Sequence, residues 1–306
     1  MHHRAFGPGI QVGTDRPRIV DPVAGRPINT FQVISTERLT PHMIRLVFGG
    51  TGFDTFVPSN WADAYVKLVI LPDGADVSGL PQPPGMDDFA APAQPPTVRT
   101  YTVRRCDPAR REVTIDFVVH GETGVAGPWA ASRKPGDTAY LTNPNGAYSP
   151  DPTADWHLLA ADEAGLPALS SALEALAPNA IGYAFIEVAG PADEIDLSAP
   201  ARVQVQWIHR GGRADLVPED RAGDNAPLID AVRGAPWLPG QAQVFVHGEA
   251  QTVMHNLRPY LRNERGVGAK WASISGYWRR GRTEETFRKW KAELAAAEKA
   301  QQGQNG

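Results

Sequence analysis

Arg99-Thr100-Tyr101-Thr102 places a cation, an aromatic ring and two hydroxyls in consecutive positions. On a strand, alternation turns Arg99 and Tyr101 to one side and Thr100 and Thr102 to the other. A guanidinium donates two parallel hydrogen bonds to a phosphate, a phenol ring walls an apolar body, and a hydroxyl can bond a ring nitrogen. A dinucleotide flavin needs that set, and plain barrel surface also uses it. A second group follows in Asp116-Phe117-Val118-Val119-His120-Gly121 and Gly124-Val125-Ala126-Gly127-Pro128-Trp129-Ala130. Glycine-rich backbone between a strand and a helical turn can present several N–H groups to phosphate oxygens. It can equally form a tight turn. The spacing of Gly121, Gly124 and Gly127 is not that of the dinucleotide fingerprint.

These residues need strands to hold them. Short β-like segments are predicted at 28–35, 43–50, 65–71, 99–105, 113–119 and 137–141, with Val113, Ile115, Phe117 and Val119 giving the clearest alternation. Several short strands separated by turn signals point to a small antiparallel barrel. The proline-rich stretch 72–97 reads as a long surface loop. From about residue 152 the pattern changes to alternating strands and helices. Strands are expected at 156–160, 184–188, 203–208 and 243–248, with helices behind Pro167, at 227–233 and at 249–263. That alternation implies a parallel sheet with crossover helices. A last helix at 284–299 would carry Phe287, Trp290 and Leu294 on one face. The division is an irregular segment at 1–27, a β-barrel at 28–151, an α/β domain at 152–282 and a C-terminal helix and tail at 283–306.

Composition narrows the function classes. The formal net charge is −4, yet residues 251–306 hold eleven Lys or Arg against five acidic residues. A local basic segment in an acidic chain can attract an anionic ligand or simply be a solvated helix face. Nucleic-acid binding is not expected from that balance. Cys106 is the single cysteine, so no intrachain disulfide or thiolate cluster can form. With no apolar run of spanning length and no secretory pattern at the N-terminus, a cytoplasmic location without stable membrane association is expected.

The order Arg-x-Tyr-Thr, Asp-Phe-Val-x-His-Gly and Gly-x-Ala-x-x-Trp-Ala resembles the FAD-binding region of the siderophore-interacting protein family. Further pieces follow in sequence: Gly136-Asp137, the turn from Pro144 to Tyr148, the stretch from Ala161 to Ala168, Gly248-Glu249, and the run from Gly276 to Gly281. The family resembles the ferredoxin reductase architecture, an antiparallel FAD-binding barrel followed by a parallel-sheet nicotinamide-binding domain. The resemblance implies FAD as cofactor, NADPH or NADH as electron donor, and a ferric siderophore as substrate, with reduced ferredoxin as another possible donor. It gives Arg99 to the FAD pyrophosphate, Tyr101 to the flavin face and Thr102 to the flavin's reactive edge. Asp116 and His120 would bracket the strand end beside the cofactor. Thr100, Gly121, Trp129 and Asp162 belong to the same cofactor-binding set, and backbone at Ala126 and Gly127 would hold phosphate. Tyr148 would cover the adenine or ribityl portion. Two departures bear on this: Val125 and Gly127 stand where the family has Pro and a hydroxyl residue, and Ala164-Gly165 stands where Thr-Ala is usual.

Such chemistry needs no acid–base pair in the chain for the electron step, because a flavin converts a hydride's two electrons into single ones. An anionic chelate would dock on cations, with Arg104, Arg105, Arg133, Lys134, Lys270, Arg279 and Arg280 as candidates. Arg210 follows the strand at 203–208, where a cation can receive a ribose 2′-phosphate. His247, Glu249 and His255 lack the spacing of a zinc-protease helix and are read as structural. Neither a Gly-x-Ser-x-Gly elbow nor a Walker loop is present. Two other readings stay open: a module that binds or delivers a siderophore with little turnover, and a general flavin reductase with a non-iron acceptor.

Overall fold

The computed structural model describes residues 27–72, 74–75, 84–89, 95–119, 124–284, 286–287, 289–290 and 293. His120 and Gly121 lie outside the described residues, as do nearly all of the segment 1–27 and most of the tail.

Seven strands make the first sheet: β1 (Ile28–Thr40), β2 (Met43–Gly49), β3 (Tyr65–Ile70), β4 (Thr97–Thr102), β5 (Arg105–Asp107), β6 (Glu112–Val118) and β7 (Thr138–Thr142). Their order is β4-β3-β7-β1-β2-β6-β5, antiparallel throughout. The two end strands are consecutive in the chain, so the sheet curls on itself. The expected strand at 99–105 is therefore two strands with a corner between them. At that corner Val103 N donates to Ala64 O (2.7 Å) and Arg104 N donates to Thr114 O (2.9 Å). Alternating residues fill the interior: Phe31, Leu46, Phe48, Val66, Leu68, Ile115, Phe117 and Leu141 are fully buried.

A helix, α1 (Ala126–Ser132), lies between β6 and β7. The second sheet contains β8 (Trp156–Ala161), β9 (Ile181–Val188), β10 (Arg202–His209), β11 (Ala242–Glu249) and β12 (Ala272–Trp278). All are parallel in the order β10-β9-β8-β11-β12. β8 and β11 lie at the centre, and β11 is buried along its whole length. The chain order reverses between β8 and β11, the point where open α/β sheets bind ligands outside their strand C-termini. α2 (Leu166–Glu174) covers one face together with the barrel, and α3 (Pro227–Gly234) helps cover the other.

Two elements differ from expectation. β12 has no predicted counterpart, because Ala-Ser-Ile-Ser-Gly carries a weak apolar pattern and the strand sits at the sheet edge. The expected helix at 249–263 is wound wide, as π-helix over Gln251–Leu257 and Tyr260–Glu264. Pro259 between them has no N–H to give, which removes one bond of a regular ladder. Among the described C-terminal residues, 284, 286–287, 289–290 and 293 are helical.

The parallel core is tight enough to dictate a glycine. Gly182 on β9 takes φ +152°, and a Cβ there would lie 1.9 Å from the His157 carbonyl oxygen. Gly182→Ala should lower stability by about 3 kcal/mol in urea unfolding. Gly190→Ala, where the backbone is extended and nothing lies within 4 Å of an added Cβ, should cost less than about 0.5 kcal/mol.

Candidate functional site

The barrel and the parallel sheet meet along a packed seam. Met43, Leu39 and Val118 pack with Leu166, Leu169 and Tyr277. Ser171 Oγ donates to Arg104 O (2.9 Å), and the Arg104 guanidinium holds the Glu174 carboxylate. His42 Nδ1 meets Asp193 at 2.9 Å. Arg104 thus serves the seam, which corrects its expected place among docking cations. Arg105 stays exposed beside Asp107.

Above the seam lies a cleft of about 580 Å³, within the size range of small-molecule sites. Arg99, Thr100, Tyr101 and Thr102 all border it, and Ser275, Gly276, Tyr277 and Trp278 of β12 face them. The expected split of the four β4 residues between two sides does not hold for the cleft. β4 is an end strand of its sheet, so the cleft wraps its edge and both side-chain rows reach it. Arg99 Nε approaches Glu284 Oε2 at 3.4 Å, and Lys67 Nζ donates to Thr100 Oγ1 at 2.5 Å. Thr100 Oγ1 also donates to Glu284 Oε1 at 3.5 Å. Tyr101 packs on Phe117 with ring centroids 4.4 Å apart, and burial pushes its hydroxyl well above the ordinary phenol range. Asp116 is 2% exposed and takes two hydrogen bonds from Arg45, at 2.7 and 2.8 Å.

Asp162, expected in the cofactor-binding set, does not itself border the cleft but holds residues that do. Its Oδ1 accepts from Ala164 N (2.9 Å) and Gly165 N (3.1 Å). Its Oδ2 accepts from Glu249 N (2.8 Å) and Trp278 Nε1 (2.7 Å). One carboxylate thus ties the C-terminal ends of β8, β11 and β12. Gly248 runs so close that a Cβ at its φ of +158° would lie 2.8 Å from Asp162 Cγ. Glu249 continues the network by accepting from Thr252 N (2.9 Å) and Arg280 N (3.2 Å). The residues here are engaged with the protein itself.

Arg210 corrects its expectation. It is 1% exposed, its Nη2 meets Glu163, its Nη1 meets Glu187 at 3.2 Å, and its Nε donates to Gly212 O at 3.0 Å. A guanidinium spent in this way cannot receive a ribose phosphate without breaking a buried network. Two carboxylates share this one cation. Burial pushes the Glu187 carboxyl up to about 7, against the pull of Arg210 and the Leu228 N–H.

The remaining expected residues are dispersed. Tyr148 is 4% exposed, its ring lies 4.8 Å from Phe245, and it does not border the cleft. Asp63 holds the turn before it, accepting from Ala147 N and Tyr148 N at 2.8 and 2.9 Å. Ala126, Gly127 and Trp129 belong to α1, beside β6, where Trp129 packs on Phe117 at 5.9 Å. Arg133 stacks on Trp129 at 5.2 Å, and Lys134 is exposed just beyond. Lys270 precedes β12, about 20 Å from the strand end that borders the cleft, and lies over Trp271. Arg279 lies over Trp290 at 5.0 Å and donates to Gln251 Oε1 at 2.7 Å. Arg280 donates to Val217 O at 2.7 Å and Ala214 O at 3.3 Å. The expected docking cations are therefore not gathered at one place. Sequence reasoning missed Tyr65, Lys67, Glu163, Ser275, Glu284 and Phe287 as cleft residues. Lys67 alternates on a predicted strand and could have been found; the others depend on the approach of the two sheets.

Residues 32–148 match the profile described as the siderophore-interacting FAD-binding domain, and residues 154–281 match that of the siderophore-interacting protein. The chain belongs to the siderophore-interacting protein family. It is 66% identical over 279 residues to the Mycobacterium tuberculosis protein Rv2895c, covering 90% of this chain and 99% of that one. It is 31% identical over 259 residues to the ferric vibriobactin reductase ViuB of Vibrio cholerae, covering 83% and 90%. Among solved structures, a siderophore utilization protein from T. fusca superposes with a TM-score of 0.70 at 34% identity, covering 84% of this chain and 95% of that one. The siderophore-interacting protein SipS from Aeromonas hydrophila gives 0.73 at 25%, covering 89% and 99%. Ferredoxin reductase and flavohaemoglobin structures share the fold at lower identity. No helix among the described residues is long and apolar enough to cross a membrane.

The raised Glu187 carboxyl fixes the sign of a pH effect. Its folded-state value lies above the ordinary 4.5, so folding takes up a proton between about 4.5 and 7. The stabilisation is full below that window and is lost as pH rises through about 7. Glu187→Gln should therefore gain on the wild type as pH rises from 4.5 to 8, by up to about 3 kcal/mol, in urea unfolding across that range.

Proposed function

We propose that this chain is an FAD-dependent reductase that takes electrons from NADPH or NADH and passes them to ferric iron in a siderophore, releasing ferrous iron. The observation that carries the reading is the cleft in which Arg99-Thr100-Tyr101-Thr102 faces Ser275–Trp278 across the seam. Its donor set fits FAD: cations at Arg99 and Lys67 for the pyrophosphate, rings at Tyr101 and Tyr277 for a flat apolar body, and hydroxyls at Thr100, Thr102 and Ser275 for polar ring atoms. Bound FAD would supply the exchange of a hydride pair for single electrons.

The chain's part is positioning and exclusion of water. The Arg45–Asp116 pair fixes the end of β6 behind Tyr101, and Phe117 sets the tilt of the Tyr101 ring. Trp278 is held by Asp162, and Phe287 is buried at the cleft, so apolar surface screens this side from solvent. A pyridine nucleotide would approach at the C-terminal ends of β8 and β11, where the strand order reverses. With Arg210 buried among carboxylates, it does not select for the 2′-phosphate of NADPH, and the proposal covers both nucleotides. The chelate would approach from the open side of the cleft, where bound FAD leaves room. Ferric iron sits in hard oxygen ligands, and ferrous iron is held more weakly by them, so reduction frees the metal.

An anaerobic absorbance titration tests the whole reading. Flavin bands should bleach on adding NADPH or NADH, then return on adding a ferric siderophore as a ferrous-iron trap develops colour. Bleaching with no transfer to the chelate would point to a non-iron acceptor. Failure to bleach with either nucleotide but bleaching with reduced ferredoxin would change the donor. Arg99→Ala should weaken FAD binding by about 10- to 100-fold in fluorescence titration. Full flavin occupancy in that variant would contradict the assignment of Arg99.

A further inference from the structure

Three hydroxyls and an imidazole run from the cleft wall to the outer edge of the parallel sheet. Tyr277 borders the cleft beside Thr102, whose hydroxyl acts on the Tyr277 phenol oxygen against the effect of burial. On its other side, that oxygen lies 2.7 Å from His247 Nδ1. His247 is 2% exposed, and its Nε2 lies 2.9 Å from Ser273 Oγ. Ser273 is half-buried on β12, the edge strand, where the chain of contacts ends near solvent. β-sheet register explains the line: Phe245 pairs with Ser273 and His247 with Ser275, so Ser273, Ser275 and Tyr277 share one face with His247. The imidazole is clamped from below by the Phe245 ring, 3.9 Å away, which fixes its orientation toward both hydroxyls. Asp63 and Tyr65 from the barrel side and Asp162 just after β8 act on Tyr277 through their charge. Burial, reinforced by those acidic neighbours, pushes its phenol well above the ordinary range, so it stays a neutral O–H that can accept on one side and donate on the other.

We infer that Thr102, Tyr277, His247 and Ser273 form a proton relay serving the group held in the cleft. The inference rests on the flavin reductase reading above. A flavin reduced by hydride carries one added hydrogen on its central ring. When it passes its two electrons to two ferric ions, the products are oxidised flavin, two ferrous ions and one proton. That proton has to leave a cleft screened by Tyr101, Trp278 and Phe287. Tyr277, which borders the cleft beside Thr102, accepts it while giving its own to His247 Nδ1, and His247 releases the Nε2 proton toward Ser273 and water. The relay returns to its starting state by rotation of the hydroxyls and a tautomer change of the imidazole. His247 acts through Tyr277 and is a positioning and relay residue; it does not touch the cleft.

The test uses the full chain loaded with FAD, reduced with stoichiometric dithionite and mixed with excess ferric citrate in H2O and D2O. Tyr277→Phe keeps the ring and removes the hydroxyl. It should bind FAD within about twofold of wild type yet reoxidise about 100-fold more slowly, with the wild type's solvent isotope effect and pH profile altered. His247→Ala should be slowed similarly and restored at least in part by added imidazole, which a purely structural role would not give. In the FAD-free protein, Tyr277→Phe should move the His247 titration in 15N NMR by about half a pH unit. Wild-type reoxidation rate and isotope effect in Tyr277→Phe would overturn the relay and leave the reductase reading standing. So would a slow His247→Ala that imidazole does not rescue, or an unmoved imidazole titration. A wild-type protein that binds no FAD would overturn the reductase reading, and the relay with it.

Discussion

A single buried carboxylate organises the ligand-facing end of this protein. Asp162 accepts hydrogen bonds from Ala164, Gly165, Glu249 and Trp278, and so joins the ends of β8, β11 and β12. Burial and the neighbouring Glu163 push its carboxyl up, while the Trp278 and Gly165 donors pull the other way. The charge is affordable in the interior because several N–H groups converge on it. Its consequences spread outward. Gly248 cannot carry a side chain beside it, Trp278 is held at the cleft wall, and the backbone that enters α2 is turned toward the barrel.

The seam between barrel and parallel sheet depends on that turn. α2 presents its apolar face to both bodies, while Arg104, Ser171 and Glu174 lock its far end to the corner where β4 becomes β5. This corner also closes the barrel and sets the edge of β4 that lines the cleft. Stability and site geometry therefore share parts: the residues that close the barrel also place Arg99, Tyr101 and Thr102 opposite β12.

Charge is handled differently on the two sides of the cleft. The barrel side offers cations, with Lys67 and Arg99 bordering the opening. At the C-terminal ends of the parallel strands, Glu163 and Glu187 surround Arg210 in a buried group with more acid than base. A proton on Glu187 relieves that excess, since its carboxyl is raised to about 7. Lys67 and Arg99 thus put positive charge on the barrel side of the cleft, with Glu284 beside them, and carboxylates gather at the C-terminal ends of the parallel strands.

Much of this was legible from sequence because it is local. Period-2 alternation at Val113, Ile115 and Phe117 marks a strand whatever surrounds it, and the change to alternating strands and helices after residue 152 marks a parallel sheet. The Arg99–Thr102 run offers a cation, a ring and hydroxyls that suit a cofactor or plain barrel surface alike, and the fold adds that all four border one cleft. Distance and burial were not legible. Arg210 at a strand end reads as a phosphate ligand until the fold surrounds it with Glu163 and Glu187. Tyr148 reads as a cofactor cover until it packs on Phe245, and Lys270 as a docking cation until β12 carries it to the far end of the sheet. β12 itself is too poor in apolar residues to announce a strand, yet pairing with β11 makes it the second wall of the cleft. Local pattern determined most of the strands and helices and offered the candidate residues. Only the packing of the two sheets decided which of those residues meet, because burial and partner choice are set by contacts between segments far apart in the chain.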